Sequence, residues 1–113
     1  MTPITILMTC VSQTDRLEVL RETAFKKNFD FLVVPRVGET IMVSNYVIEV
    51  FDVLHAPMLP PRIFASIGLH SDDLPTEAQM QMISMHLTQQ GWHVEEVAER
   101  ERSPEEYTDK YIH

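Results

Sequence analysis

The sequence predicts an α+β domain: a bent, mostly antiparallel sheet, or a partly open small β-barrel, with one main helix packed on it. Three observations carry that prediction. The run from Val34 to Pro57 holds two turn signals, Pro35 with Gly38 and then Ser44-Asn45, between β-branched segments. Residues 62–70 alternate, with Ile63, Ala65, Ile67 and Leu69 on one face. Residues 76–91 carry helix punctuation at both ends: Thr76 and Gln79 at capping-box spacing, and Gly91 as a left-handed stop.

Taken in order, residues 4–12 read as a first strand, β-branched and apolar. Residues 14–27 carry two periods. Leu17, Leu20, Ala24 and Phe25 fall at helical spacing with Thr14 as a cap, while Leu17, Val19 and Arg21 fit a half-buried strand; the helix is favoured. Residues 29–34 read as a strand that Pro35 ends, because proline has no donor for a ladder. Gly38 supplies a positive φ for a tight turn. Residues 40–43 make a short strand, and Ser44-Asn45 a two-residue hairpin turn. Residues 46–55 read as the longest strand. Its alternation slips: Tyr46 and Ile48 share one face, Phe51 and Val53 the other, so a bulge near Glu49-Val50 is needed to turn all four to the core. Three prolines stiffen the loop at 56–61. Met80, Ile83 and Leu87 form the apolar stripe of the helix, and 92–97 a last strand. The predicted organisation is a single domain over 1–97, with 98–113 an acidic tail or short helix begun by Ser103-Pro104-Glu105-Glu106.

Composition narrows the function. A length of 113 residues suits one modest core. No apolar run reaches membrane-spanning length, and the apolar N-terminal stretch has no basic residue before it, so neither a membrane span nor a secretory leader is expected. The single cysteine, Cys10, lies in an apolar strand and reads as a buried, inert thiol; a cytoplasmic location follows. Net charge is −8, and the only adjacent basic pair is Lys26-Lys27, which argues against direct nucleic-acid binding. From Glu95 to Lys110 seven acids and three bases carry net −4, half the total. Such acidity serves solubility, a basic protein partner, or mimicry of a nucleic acid.

No catalytic residues, cofactor or metal site can be drawn. The three glycines do not cluster, so no phosphate cradle exists, and no Gly-x-Ser-x-Gly, Cys-x-x-Cys or His-Glu-x-x-His run occurs. His55 and His70 end successive strands; if these form a hairpin, the strand length between them is roughly 27 Å, too far for a shared metal. Asp52, His55 and Arg62 are the candidate ligand-binding residues, meeting at the loop end of that hairpin; a solvated strand face with a weak ion pair is the ordinary alternative. Met58 and Leu59 in the proline-rich loop, with Met82 and Met85 on the helix, are the candidate partner-binding residues, because methionine suits adaptable interfaces and the helix is apolar on more than one face. Core filling is the alternative for the helix methionines.

The run Val34-Pro-Arg-Val-Gly-Glu-Thr-Ile41, with Asn45-Tyr46-Val47-Ile48 and Val53-Leu54-His55-Ala56-Pro57, resembles a pattern in small uncharacterised bacterial and phage proteins. The resemblance covers about 24 residues. It implies an SH3-like or other small β-rich fold and a phage or mobile-element origin, and no activity. The spacing from Tyr46 to His55 is longer here than in that pattern. The function expected from the whole is a non-enzymatic protein-binding or adaptor module that has a protein partner or self-associates as a homo-oligomer. The alternatives are a small-ligand binder or enzyme with its site at the Asp52/His55/Arg62 end or at an oligomer interface, and an acidic nucleic-acid mimic.

Overall fold

A computed structural model describes residues 1–68 and 74–102. The chain forms β1 (Thr2–Gln13), β2 (Val19–Phe31), β3 (Thr40–Val43), β4 (Tyr46–Leu54), β5 (Arg62–Gly68), α1 (Glu77–Gln89) and β6 (His93–Glu101). The strands make one six-stranded sheet in the order β3-β4-β5-β1-β2-β6. The sheet is bent and unclosed, so the α+β reading holds and the barrel does not form. Four of the five neighbouring pairs are antiparallel; β1 and β5 are parallel.

The N-terminal strand is central because its sequence is apolar enough to be covered on both edges. Ile4, Ile6, Met8 and Cys10 alternate onto one buried face. Phe25 from β2, Ile48 and Val50 from β4, and Ile63 and Ala65 from β5 join them. Met80 and Leu87 of α1 and Trp92 close the core from above, with Ile83 packed at its margin. Each such apolar side chain contributes about 2 kcal/mol when fully buried.

Residues 14–27 are not a helix. Thr14 Oγ1 accepts from Arg16 N at 3.1 Å and donates to Val19 O at 2.9 Å, closing a tight turn. From Val19 the chain is extended and pairs with β1 from Gln13↔Leu20 to Thr2↔Phe31. The helical spacing of Leu17, Leu20 and Ala24 loses to the alternation of Thr23, Phe25, Phe29 and Phe31, which lies opposite the buried row of β1. Leu17 is left exposed. The strand expected at 29–34 is therefore the end of β2, which stops at Phe31.

The hairpins follow the turn chemistry. Ser44 (φ 50°) and Asn45 (φ 67°) both take the left-handed conformation between paired Val43 and Tyr46. Gly38 has φ 90°. Its N–H donates to Val50 O at 2.8 Å, Val50 N–H donates to Glu39 O at 2.9 Å, and Arg36 N–H donates to the Glu39 carboxylate. The Val-Pro-Arg-Val-Gly-Glu run is thus a turn hooked onto the middle of β4. The bulge in β4 lies between Val50 and Asp52 rather than at Glu49-Val50. Phe51 is the extra residue and remains 53 % exposed, while Val50 takes the core position. At nine residues β4 is also not the longest strand; β2 has thirteen.

The α1 helix begins with the full capping box: Thr76 Oγ1 accepts from Gln79 N at 3.2 Å, and Gln79 Oε1 accepts from Thr76 N at 2.9 Å. It ends where Gly91 takes φ 93°. Lys27 Nζ donates to Gln90 O at 2.5 Å, placing a cation at the negative end of the helix dipole. The last strand continues past position 97 to Glu101. Leu69 and His70, expected in β5, and the helix-start signature at 103–106 lie outside the described residues. Among the described residues, no helix is long and apolar enough to cross a membrane.

Candidate functional site

One helix cannot cover two faces of a six-stranded sheet. Among the described residues α1 packs on one face only, and the strand register shows which side chains the other carries. Leu7 on β1 is aligned with Phe64 on β5, and Phe64 with Asp52 on β4. All three lie opposite the core row of Met8, Ala65 and Val53. The bulged Phe51 turns its ring to this side, 6.5 Å from the ring of Phe64. Leu54, 50 % exposed, is aligned with Arg62 on the same face. The result is an apolar patch of Leu7, Phe51, Leu54 and Phe64 beside the charged Asp52 and Arg62.

The residues expected from sequence divide. Asp52 and Arg62 share this face, one strand apart and diagonally offset. Among the described residues no ion pair joins them; the Asp52 carboxylate instead accepts from Val53 N–H at 2.9 Å. His55 lies elsewhere. With Val34, Pro35, Arg36, Val37 and Val53 it lines a groove of about 310 Å³ between the 34–37 segment and the end of β4. The three side chains therefore flank the hairpin end without forming one cluster.

Met58 and Leu59 stand on the proline-rich loop, and Met58 is fully exposed with φ 64°. Met82 and Met85 point away from the core, 67 % and 57 % exposed, while Met80 is buried. Both pairs are thus solvent-facing, on separate elements. Phe64 and Leu7 escaped the sequence reading because alternation draws attention to the buried row of a strand. An apolar residue in the other row was the signal available.

The polar chemistry is sparse. Among the described residues no three His, Cys, Asp or Glu side chains come together in a way that could hold a metal ion. Burial pushes the Cys10 thiol up to about 11, so it is a poor nucleophile. Burial also raises the Tyr46 hydroxyl, whose oxygen lies 3.3 Å from His86 Nδ1. A second groove, of about 550 Å³, runs past Lys26, Lys27, Asn28, Gly91, His93 and Glu95. Lys27 is already engaged by Gln90 and by the ring of Phe29, 5.1 Å away. The nearby helix C-terminus and Glu95 oppose an anion there.

Protein-family models, curated proteins and solved structures were all compared with the chain, and none matches.

Proposed function

We propose that this chain is a non-enzymatic protein-binding module, an adaptor that works by surface contact. The observation that carries the reading is the uncovered sheet face, where Phe51, Leu54, Phe64 and Leu7 make an apolar patch with Asp52 and Arg62 beside it. An aromatic centre with a polar margin is the usual anatomy of a protein interface. The bulge supports it: alternation from Ile48 and Val50 turns Phe51 outward, and the extra residue keeps Asp52 on that same face, where the pattern would have turned it inward. The exposed Met58, Leu59, Met82 and Met85 add adaptable apolar surface for the same kind of contact. Affinity capture from the source organism's lysate tests this. Wild type should retain a discrete protein partner or a second copy, and Phe51→Asp with Leu54→Asp should lose it. Capture of nothing, or capture indifferent to both substitutions, overturns the reading.

A second reading has an observation of its own. The groove at Val34–Val37, Val53 and His55 combines an apolar floor with two basic side chains, Arg36 and His55, which suits a small ligand carrying an acid group. Thermal-shift screening separates the two readings: a saturable stabilisation that is lost in His55→Ala favours the ligand.

A further inference from the structure

The two edges of the sheet differ. The β3 edge is only four residues long, and the Gly38-Glu39 turn bonds to β4 beside it. The β6 edge is nine residues long, contains no proline, and is exposed at every position except Arg100. It pairs with β2 on one side only. A register shift against β2 makes Glu95 the extra residue of a bulge; from Glu96 to Glu101 the other side presents N–H and C=O groups at every second residue, without a neighbouring strand among the described residues.

The side chains of this edge carry one sign of charge. Glu95, Glu96, Glu99 and Glu101 stand against a single Arg100. Two cross-strand pairs are already made: Arg21 holds Glu99 at 3.0 Å, and Glu22 holds Arg100 at 2.6 Å. Glu95, Glu96 and Glu101 have no ion pair among the described residues. Val94 and Val97, 44 % and 56 % exposed, lie between the acids.

We propose that the outer edge of β6 takes up an extended, lysine- or arginine-rich segment of a partner protein as a seventh strand. The inference rests on the reading of the chain as a protein-binding module, and it adds a second surface and the chemistry of the partner. Main-chain bonds supply the attachment, and the glutamates select the charge. Charge also argues against two other occupants. A second copy would bring Glu96, Glu99 and Glu101 against an edge that carries the same three acids. In the register centred between Val97 and Ala98, Glu96 faces Glu99 twice, and the single cation of the strand, Arg100, is already held by Glu22. Like charges directly opposite each other destabilise a ladder. The chain's own residues 103–113 carry three acids and one lysine, so they share the sign of the edge.

The test uses the full chain and three labelled peptides of about nine residues, the length of a typical long strand. The first alternates lysine and valine. The second alternates glutamate and valine. The third keeps the lysines and replaces the valines by prolines, holding the charge while removing the donors. Anisotropy reads binding, and amide hydrogen exchange reads its place. The lysine–valine peptide should bind saturably and protect alternate amides within 96–101, beyond the bulge. The triple variant Glu95→Lys/Glu96→Lys/Glu101→Lys should bind it at least about tenfold more weakly and prefer the glutamate–valine peptide. The proline peptide should bind wild type poorly.

Three results overturn the inference: no binding of the lysine–valine peptide, equal binding of the proline peptide without protection of β6, or a dimer that protects β6 in the absence of peptide. The second would mean that the acids act as a mimic of phosphate charge, without strand addition. If a lysate partner is still captured through Phe51 while the peptide fails, only the edge assignment falls. If neither binds, the adaptor reading falls with it.

Discussion

Trp92 Nε1 donates a hydrogen bond to Ser44 Oγ at 2.9 Å, tying the residue after the helix to the turn between β3 and β4. Trp92 is 2 % exposed and its ring lies 5.5 Å from that of Phe29. The hairpin, the helix end and the tail of β2 thus meet at one indole. Ser44→Ala leaves a buried donor without its acceptor and should cost about 1–3 kcal/mol. Ser44→Gly loses the same bond but relieves the left-handed φ of 50°, and should cost about 1 kcal/mol less. Denaturant unfolding checks both, with the fluorescence of the only tryptophan as the probe.

Thr76 closes the capping box of α1. Thr76→Ala should destabilise the protein by about 1 kcal/mol. Faster amide exchange should appear at Gln79 and in the first helical turn, whereas the exchange of β1 should change only by the global loss.

Cys10 sets an alkaline limit. Its folded thiol is pushed from 9.0 up to about 11 by burial, so the unfolded chain gives up this proton first. Between those values the native state binds more protons, and stability falls as pH rises. The contribution is complete below about pH 9 and is lost up to about pH 11, by at most about 1.4 kcal/mol per pH unit. The raised Tyr46 hydroxyl acts in the same direction above its ordinary value of 10.0. Cys10→Ala should flatten the slope from pH 9 upward and also lessen the Tyr46 part, because after burial the Cys10 charge is the second cause that raises that hydroxyl. Thiol-labelling rates for the wild type should track unfolding, since the side chain is 1 % exposed.

Phe51 bulges out of β4 with half its surface in water. Phe51→Asp should therefore change unfolding free energy by only about 0.5–1 kcal/mol, against about 3–5 kcal/mol for Phe25→Ala in the core. A large loss of partner capture with intact stability identifies the position as interface rather than scaffold.

The β3–β4 hairpin, the β4–β5 hairpin and the helix bounds were legible because each is written in local chemistry: Ser44-Asn45, the proline loop, and Thr76 with Gln79 and Gly91. β2 was not legible. Its alternation of Thr23, Phe25, Phe29 and Phe31 is interrupted at the inward position by Lys27, whose charge is held by the Phe29 ring and by Gln90, the latter far along the chain. The parallel partnership of β1 with β5 is likewise long-range and leaves no local mark. Of the candidate site, the shared face of Asp52 and Arg62 follows from the hairpin register. The separation of His55 from them depends on the 34–37 segment folding over β4, which short-range spacing does not encode.

The first strand to be synthesised occupies the middle of the sheet, with β2 on one side and β5 on the other. Its parallel neighbour is assembled from Thr5↔Arg62 to Thr9↔Ser66, so a nascent chain must hold the β1–β2 hairpin, complete at Phe31, with one flank open until β5 has emerged, which begins 31 residues later at Arg62. During that interval Ile4, Ile6 and Met8 lack their cover, and the early hairpin is the species that a holdase would recognise.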